Sequence, residues 1–93
     1  MISIVIPIYN EEENIFHLQR RLVEASPLWL EDFEIIFVDD GSDDNSLKLM
    51  RRIAARDTRF KIIKLSRNFG HQAAISAGIK KAKGDAVIIM DGD

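Results

Sequence analysis

The chain has 93 residues, a formal net charge of −2 and no cysteine. This length suits one small domain with a modest core, and the charge gives no overall attraction to nucleic acid or anionic lipid. Because there is no cysteine and no apolar run of membrane-spanning length, disulfides, metal thiolates and membrane helices are excluded, and we predict a cytoplasmic protein that binds no nucleic acid.

Apolar β-rich runs alternate with helical patterns in the first half of the chain, which is typical of β-α-β units. The first strand covers residues 2–6 and is ended by Pro7. Asn10 then fits the N-cap of a helix with glutamates in its first turn, and apolar residues recur at helical spacing as far as Ala25. A second apolar strand is predicted over residues 33–38.

The second half repeats this alternation. A helix capped by Asp44 or Asn45 runs through Ala54. An edge strand interrupted by lysines follows over 60–65, then a helix over 71–82 and a strand over 85–90. The predicted fold class is therefore α/β, with helices packed around a parallel sheet.

Polar clusters follow the strands, and in an open α/β sheet such strand ends line one crevice. After the first strand, Tyr9 offers a flat surface for a base beside a helix N-terminus. An equally good interpretation is that Pro7 ends a strand and Asn10 caps a helix. After the second strand, Asp39 and Asp40 repel each other unless a ligand N–H or a turn compensates.

The third cluster and the chain end carry further polar groups. Arg67 can meet a phosphate, Asn68 can bond a sugar or a neighbouring loop, and Gly70 permits positive φ. His71 fits a helix start or surface position better than a base. Asp91 and Asp93 lie on one face of an extended segment and can converge on a hard cation, although an acidic turn also explains them.

Together these clusters resemble the amino-terminal half of a family 2 inverting glycosyltransferase, closest to the branch of polyprenyl- and dolichol-phosphate sugar transferases. Four segments carry the resemblance in order: IVIPIYNE at 4–11, VDDGSDD at 38–44, SRNFGH at 66–71 and MDGD at 90–93. A dinucleotide-binding Rossmann domain instead needs a glycine-rich turn where Pro7 and Tyr9 stand. A receiver domain needs its acidic pair after the first strand, whereas here the pair follows the second.

The resemblance implies the donor-binding half of a GT-A fold, a Rossmann-like three-layer arrangement. Its four strands follow the order 3-2-1-4, with right-handed crossovers and three helices. The donor would be a UDP- or GDP-linked sugar, with Mg²⁺ or Mn²⁺ as cofactor. By position, Asp40 would accept an N–H from the base, and Asp91 and Asp93 would bind the metal. The full nucleotide-binding set would be Pro7, Tyr9, Glu11, Asp40, Asn68, Gly70 and Asp91.

Family members continue well past the Asp-x-Asp motif, into a segment that holds the acceptor site and the general base. We therefore expect residues 1–93 to be the donor portion of a truncated domain, with no catalytic base and no turnover on its own. The acceptor would be a polyprenyl phosphate, which would place the parent at the cytoplasmic face of a membrane. The alternative function is a non-catalytic nucleotide-sugar-binding or assembly module. The apolar fourth strand would be an uncovered edge, and we expect it to favour self-association.

Overall fold

The structure is a computed structural model that describes residues 1–92. Within this range four strands and three helices alternate. They are β1 (Ile2–Ile8), α1 (Ile15–Ala25), β2 (Phe33–Asp39), α2 (Ser46–Arg56), β3 (Phe60–Lys64), α3 (His71–Lys81) and β4 (Ala86–Ile89), with a short 3-10 turn at Ser26–Leu28. All strand pairs are parallel and the order is β3-β2-β1-β4. The predicted fold class and strand order are confirmed.

Two apolar layers cover the sheet, because successive side chains of a strand point to opposite faces. Ile35 and Phe37 of β2 belong to the larger core beneath α1 and α2, whereas Ile36 and Val38 belong to the smaller core beneath α3. Helix α3 lies close to the sheet at Gly78, where an added Cβ would come within 2.3 Å of a Val5 methyl carbon. Strand β2 is buried along its whole length. This packed central strand holds the loops that follow the strands in fixed positions relative to one another.

The prediction that Pro7 ends the first strand is wrong, because β1 continues to Ile8. On one side of β1, Met90 N–H donates to Val5 O, and on the other Asp40 N–H donates to Ile8 O. In a parallel strand alternate residues face alternate neighbours, so position 7 faces β4, which has already ended at Ile89. Pro7 therefore costs the sheet no ladder hydrogen bond.

The predicted start of the first helix is also wrong. Helix α1 begins at Ile15 with Asn14 at its N-cap, and no acidic residue lies in its first turn. Asn10 instead has φ of 52°, and its side chain bonds another loop. The other boundaries differ from the prediction by at most two residues. Between α1 and β2, the ring of Trp29 packs edge-to-face on that of Phe33, with 4.9 Å between the ring centres.

A buried carboxylate joins the amino-terminal ends of the strands, at the end of the sheet opposite the polar clusters. Glu34 of β2 accepts hydrogen bonds from Ser3 Oγ at 2.5 Å, Lys61 Nζ at 2.6 Å and Lys83 N–H at 2.7 Å. Burial alone would raise the pKa of Glu34, but these hydrogen bonds outweigh it and lower the pKa to about 2. The network therefore contributes to stability only while Glu34 is ionised.

We predict that Glu34→Gln lowers the free energy of unfolding at neutral pH by at most about 3 kcal/mol, since the half-exposed Lys61 weakens the ion pair. The folded-state pKa of about 2 lies below the ordinary value of 4.5. The contribution is therefore fully present above about pH 4.5 and disappears as the pH falls toward 2. Urea unfolding of both proteins at pH 7, 4 and 2 measures this, with Glu24→Gln as a control for the loss of one exposed carboxylate. A difference that persists undiminished at pH 2 would contradict the assignment.

Candidate functional site

The loop after β1 and the loop after β2 are joined by hydrogen bonds centred on Asn10. Its Oδ1 accepts from Asp43 N–H at 2.8 Å and from Asp44 N–H at 3.4 Å, and its own N–H donates to Ser42 Oγ at 3.0 Å. Glu11 N–H donates to Ser46 Oγ at 2.8 Å. Asparagine tolerates the left-handed conformation better than most residues, so it can turn the chain and bond the second loop at the same time. This holds Tyr9 and Glu11 beside the end of β2.

Asp40 joins the end of β2 to the loop that precedes α3. Its carboxylate accepts hydrogen bonds from Phe69 N–H at 2.8 Å, Gly70 N–H at 3.1 Å and Asn68 Nδ2 at 3.2 Å. Asn68 Nδ2 also lies 3.2 Å from the carbonyl oxygen of Asp40. Because Asp40 is only 4% exposed, these donors supply the hydrogen bonds that a buried carboxylate requires. Asp40 therefore fixes the position of residues 68–70.

Asp39 and Gly41 flank this carboxylate and have different surroundings. Asp39 is buried, and its Oδ1 accepts a hydrogen bond from Ser42 N–H at 3.1 Å. Gly41 has φ of 72°, and an added Cβ would come within 2.3 Å of the carbonyl carbon of Arg67 and 2.4 Å of Asn68 N. Only glycine allows the two loop backbones to approach so closely.

The structure brings seven of the predicted site residues together around one cavity of about 380 Å³. They come from all four strand ends: Pro7, Tyr9, Glu11, Asp40, Asn68, Gly70 and Asp91. Ile8 and His71 complete the lining. Sequence reasoning assigned His71 no ligand role, and no residue pattern distinguished it from an ordinary helix start. Its position at the first residue of α3 places it on the cavity wall.

A larger cavity of about 920 Å³ adjoins the first and shares Tyr9 and Asn68 with it. Asp39 and Ser42 line this larger cavity, together with Arg67. Arg67 also lies over the ring of Phe69, with its guanidinium carbon 4.6 Å from the ring centre. The sequence singled out Arg67 as a candidate phosphate ligand, but it could not show that Asp39, and not Asp40, lines this larger cavity.

The segment after β4 places Asp91 at the small cavity and packs Gly92 against β1. An added Cβ on Gly92 would come within 2.7 Å of Ile8 Cδ1 and 3.0 Å of the Pro7 carbonyl oxygen. Gly92 therefore lets this segment approach the end of β1 closely enough to bring Asp91 to the wall. Asp93, the other predicted metal ligand, lies outside the described residues.

The donor chemistry of this corner suits a hard cation, because carboxylate oxygens are the ligands that Mg²⁺ and Mn²⁺ prefer. Within residues 1–92 no group of three or more His, Cys, Asp and Glu side chains is arranged to hold a metal ion. These ions usually take several ligands from water and substrate phosphates. A metal at Asp91 would therefore need oxygens from outside the described residues.

None of the helices in residues 1–92 is both long and apolar enough to cross a membrane.

Residues 3–93 match the protein-family model described as "Glycosyl transferase family 2". An uncharacterized glycosyltransferase, YkcC, of Bacillus subtilis is 47% identical over 91 residues, which are 98% of this chain and 28% of that protein. An undecaprenyl-phosphate 4-deoxy-4-formamido-L-arabinose transferase of Pseudomonas fluorescens is 46% identical over 93 residues. That alignment includes 99% of this chain and 27% of the length of the Pseudomonas protein. The chain thus spans less than a third of these relatives.

Solved structures share the fold. A mannosyltransferase from Pyrobaculum calidifontis, in complex with GDP-Man and Mn²⁺, aligns with a TM-score of 0.84 at 23% identity. Residues 1–349 of S. aureus TarS, in complex with UDP, align with a TM-score of 0.82 at 28% identity. Each alignment covers 99% of this chain and 27% of the other. The parallel sheet in the order β3-β2-β1-β4 is that of the GT-A glycosyltransferases, and the chain belongs to glycosyl transferase family 2.

Proposed function

We propose that residues 1–93 form the nucleotide-sugar-binding portion of a glycosyltransferase domain that transfers a sugar from a nucleoside-diphosphate donor. The observation that carries this proposal is the cavity into which the strand ends bring all the predicted donor-binding residues that the structure describes. Four loops that are far apart in sequence supply that lining, as a bound ligand would require. The ligand class is supported by the solved relatives of this fold that hold UDP or GDP-Man.

In this proposal each wall of the two cavities serves a different part of the donor. Tyr9 is 43% exposed and offers its ring to the base. The resemblance gives the base N–H to Asp40, but three N–H groups already bond that carboxylate. We therefore assign the base N–H to Asp39, which lines the larger cavity beside Tyr9. Asp40 serves the nucleotide by holding Asn68 and Gly70 in place.

The cofactor in this proposal is Mg²⁺ or Mn²⁺, held by Asp91 and Asp93 together with the donor diphosphate. Solved relatives of this fold contain Mn²⁺. When bound, the metal neutralises the charge that develops on the departing diphosphate. Asp91 would orient the donor from the wall of the smaller cavity, which it lines together with Asp40. No residue of this chain is assigned as the general base that activates the acceptor.

The proposed acceptor is a polyprenyl phosphate. Several curated relatives that match nearly the whole chain at 41–46% identity are named undecaprenyl-phosphate 4-deoxy-4-formamido-L-arabinose transferases. A parent that uses such an acceptor would act at the cytoplasmic face of a membrane. Residues beyond this chain would complete the acceptor site, because the chain spans less than a third of those relatives.

The nucleotide assignment can be tested by titrating the chain with UDP and with GDP in the presence of Mn²⁺. We expect one of the two to bind, and Tyr9→Ala to weaken that binding by about 1–3 kcal/mol, as for the loss of one base-aromatic stack. Tyr9→Phe is the matched control, because it keeps the ring and should retain most of the affinity. Binding of neither nucleotide, or equal losses in both variants, would contradict the proposal.

A non-catalytic nucleotide-sugar-binding module is the second candidate, and the donor cavity supports it as well, because nucleotide binding requires no general base. Such a module would bind nucleotide and metal in the same way but would transfer no sugar when joined to the rest of its parent. Self-association through β4 stays a prediction. Val87, Ile88 and Ile89 are 40–47% exposed, and a clean monomer by light scattering at high concentration would count against it.

A further inference from the structure

The small net charge of the chain conceals a strong separation of charge along it. Residues 48–67 hold eight of the 13 lysines and arginines but only one of the 15 acidic residues. This segment therefore carries a net charge of +7, and the rest of the chain carries −9. A sequence-wide charge argument, which predicts no attraction to anionic lipid, does not apply to a surface built from this segment.

The fold gathers five of these cations around the larger cavity. Helix α2 presents Lys48, Arg51 and Arg52 there, and the end of β3 and the loop after it add Lys64 and Arg67. All five residues are exposed. We call these five residues the basic face. Within residues 1–92, no ion pair is formed by Lys48, Arg51, Arg52 or Lys64. The fifth member, Arg67, stacks on the half-exposed ring of Phe69.

This arrangement is unfavourable for α2 itself. Lys48 lies in the first turn, where the helix dipole disfavours a cation, and no acidic residue offsets it there. Lys48 also neighbours Arg51 and Arg52 at spacings of three and four residues, where like charges destabilise a helix. Three acidic residues, Asp39, Asp43 and Asp44, line the same cavity. Asp39 already accepts a hydrogen bond from Ser42 N–H, and Asp44 accepts from Ser46 N–H and Glu12 N–H. An external anion would offset the repulsion among the cations of α2.

We propose that the basic face binds the anionic surface of a phospholipid bilayer. The cations of α2 lie within about one and a half turns of the helix. Lys64 and Arg67 extend the charge onto the end of β3 and the loop after it, so the five cations match a charged plane better than a single compact anion. Clusters of four to eight such cations are typical of anionic-lipid binding. The choice of lipid over nucleic acid rests on the proposed function, since a polyprenyl phosphate lies in a membrane. The net charge of −9 outside residues 48–67 would orient the domain with this face toward the bilayer.

The test is co-sedimentation with vesicles of phosphatidylcholine containing 30% phosphatidylglycerol, compared with vesicles of phosphatidylcholine alone. We expect binding to the anionic vesicles only, and loss of binding at high salt as the charges are screened. Lys48→Gln combined with Arg51→Gln should lower the partition coefficient about 30-fold. The matched control is Lys80→Gln with Lys81→Gln, which removes two exposed cations from α3 and should change partitioning less than about threefold.

Several outcomes would overturn the proposal. These are no binding to anionic vesicles at low salt, equal binding to neutral vesicles, or equal losses in the two double variants. Displacement of the protein from vesicles by excess polyuridylate, with tighter binding to the polyuridylate, would assign the face to nucleic acid instead. Glutamine is tolerated at exposed helix positions, and circular dichroism checks that both variants stay folded. Calorimetry with nucleotide on the unsubstituted protein, without lipid, separates failure of this proposal from failure of the nucleotide assignment, because Lys48 and Arg51 line the same cavity as Tyr9.

Discussion

Replacing Gly41 with alanine should separate the loop after β2 from the loop before α3 and lower the free energy of unfolding by about 2–4 kcal/mol. The new Cβ would lie within 2.3–2.4 Å of backbone atoms of Arg67 and Asn68, which cannot move aside as a side chain could. The substitution also places a side chain at φ of 72°. Because Asn68 lines both cavities, we expect nucleotide binding to fall with stability.

Gly70→Ala is the matched control for this change. Gly70 also has positive φ, of 104°, but an added Cβ there meets no atom within 4 Å. It therefore measures backbone strain without collision, and we expect it to cost about 1–2 kcal/mol. Urea unfolding measures both variants. The close approach of the two loops would be refuted if Gly41→Ala were no more destabilising than Gly70→Ala.

The two adjacent aspartates should give opposite results in stability and in binding. Asp40→Ala leaves the partly buried N–H groups of Phe69 and Gly70 without their acceptor and empties the buried position of the carboxylate. It should therefore destabilise the fold by about 2–4 kcal/mol. Asp39→Asn keeps the size of the side chain and disturbs one hydrogen bond, from Ser42 N–H. It should cost about 1 kcal/mol of stability but weaken nucleotide binding by about 1–3 kcal/mol.

Urea unfolding and calorimetry on Asp39→Asn, Asp40→Ala and Asp40→Asn separate these roles. Should Asp40→Asn keep full stability and lose nucleotide affinity, while Asp39→Asn loses neither, the base N–H would belong to Asp40. The assignment of Asp40 to the loop of residues 68–70 would then be wrong.

The periodicity of the sequence predicted the elements and class of this fold well, and the resemblance supplied the strand order. Strands such as β2 are apolar on both faces, and the helices bury residues at a 3.6-residue period, so local patterns reflect the layers directly. The errors lie where a residue bonds to something distant in sequence. Asn10 fits a helix cap locally but bonds Asp43 and Asp44 instead. Pro7 is harmless because β4 ends before reaching it.

The candidate site could be predicted as a set of residues but not as a set of roles. Strand-end placement was enough to bring Tyr9, Asp40 and Asp91 to one cavity. It could not show that Asp39 lines the larger cavity and Asp40 the smaller one, nor that Asp40 is occupied by the loop of residues 68–70. The basic face was missed for a different reason, because the net charge of the whole chain masked the excess of cations in residues 48–67. Only the fold shows that five of these cations line one cavity.

The most direct test of the proposed function is a Mn²⁺ titration with and without nucleoside diphosphate. It uses the chain extended by several neutral residues, so that a terminal carboxylate beside Asp93 adds no ligand. Asp91 and Asp93 supply too few oxygens for a tight site, whereas the diphosphate adds more. We therefore predict that Mn²⁺ affinity rises at least about tenfold with diphosphate, and that Asp91→Ala and Asp93→Ala each abolish the rise. Equal Mn²⁺ affinity with and without the nucleotide, or an undiminished rise in Asp93→Ala, would contradict the assignment of this chain to the donor and metal site of a glycosyltransferase.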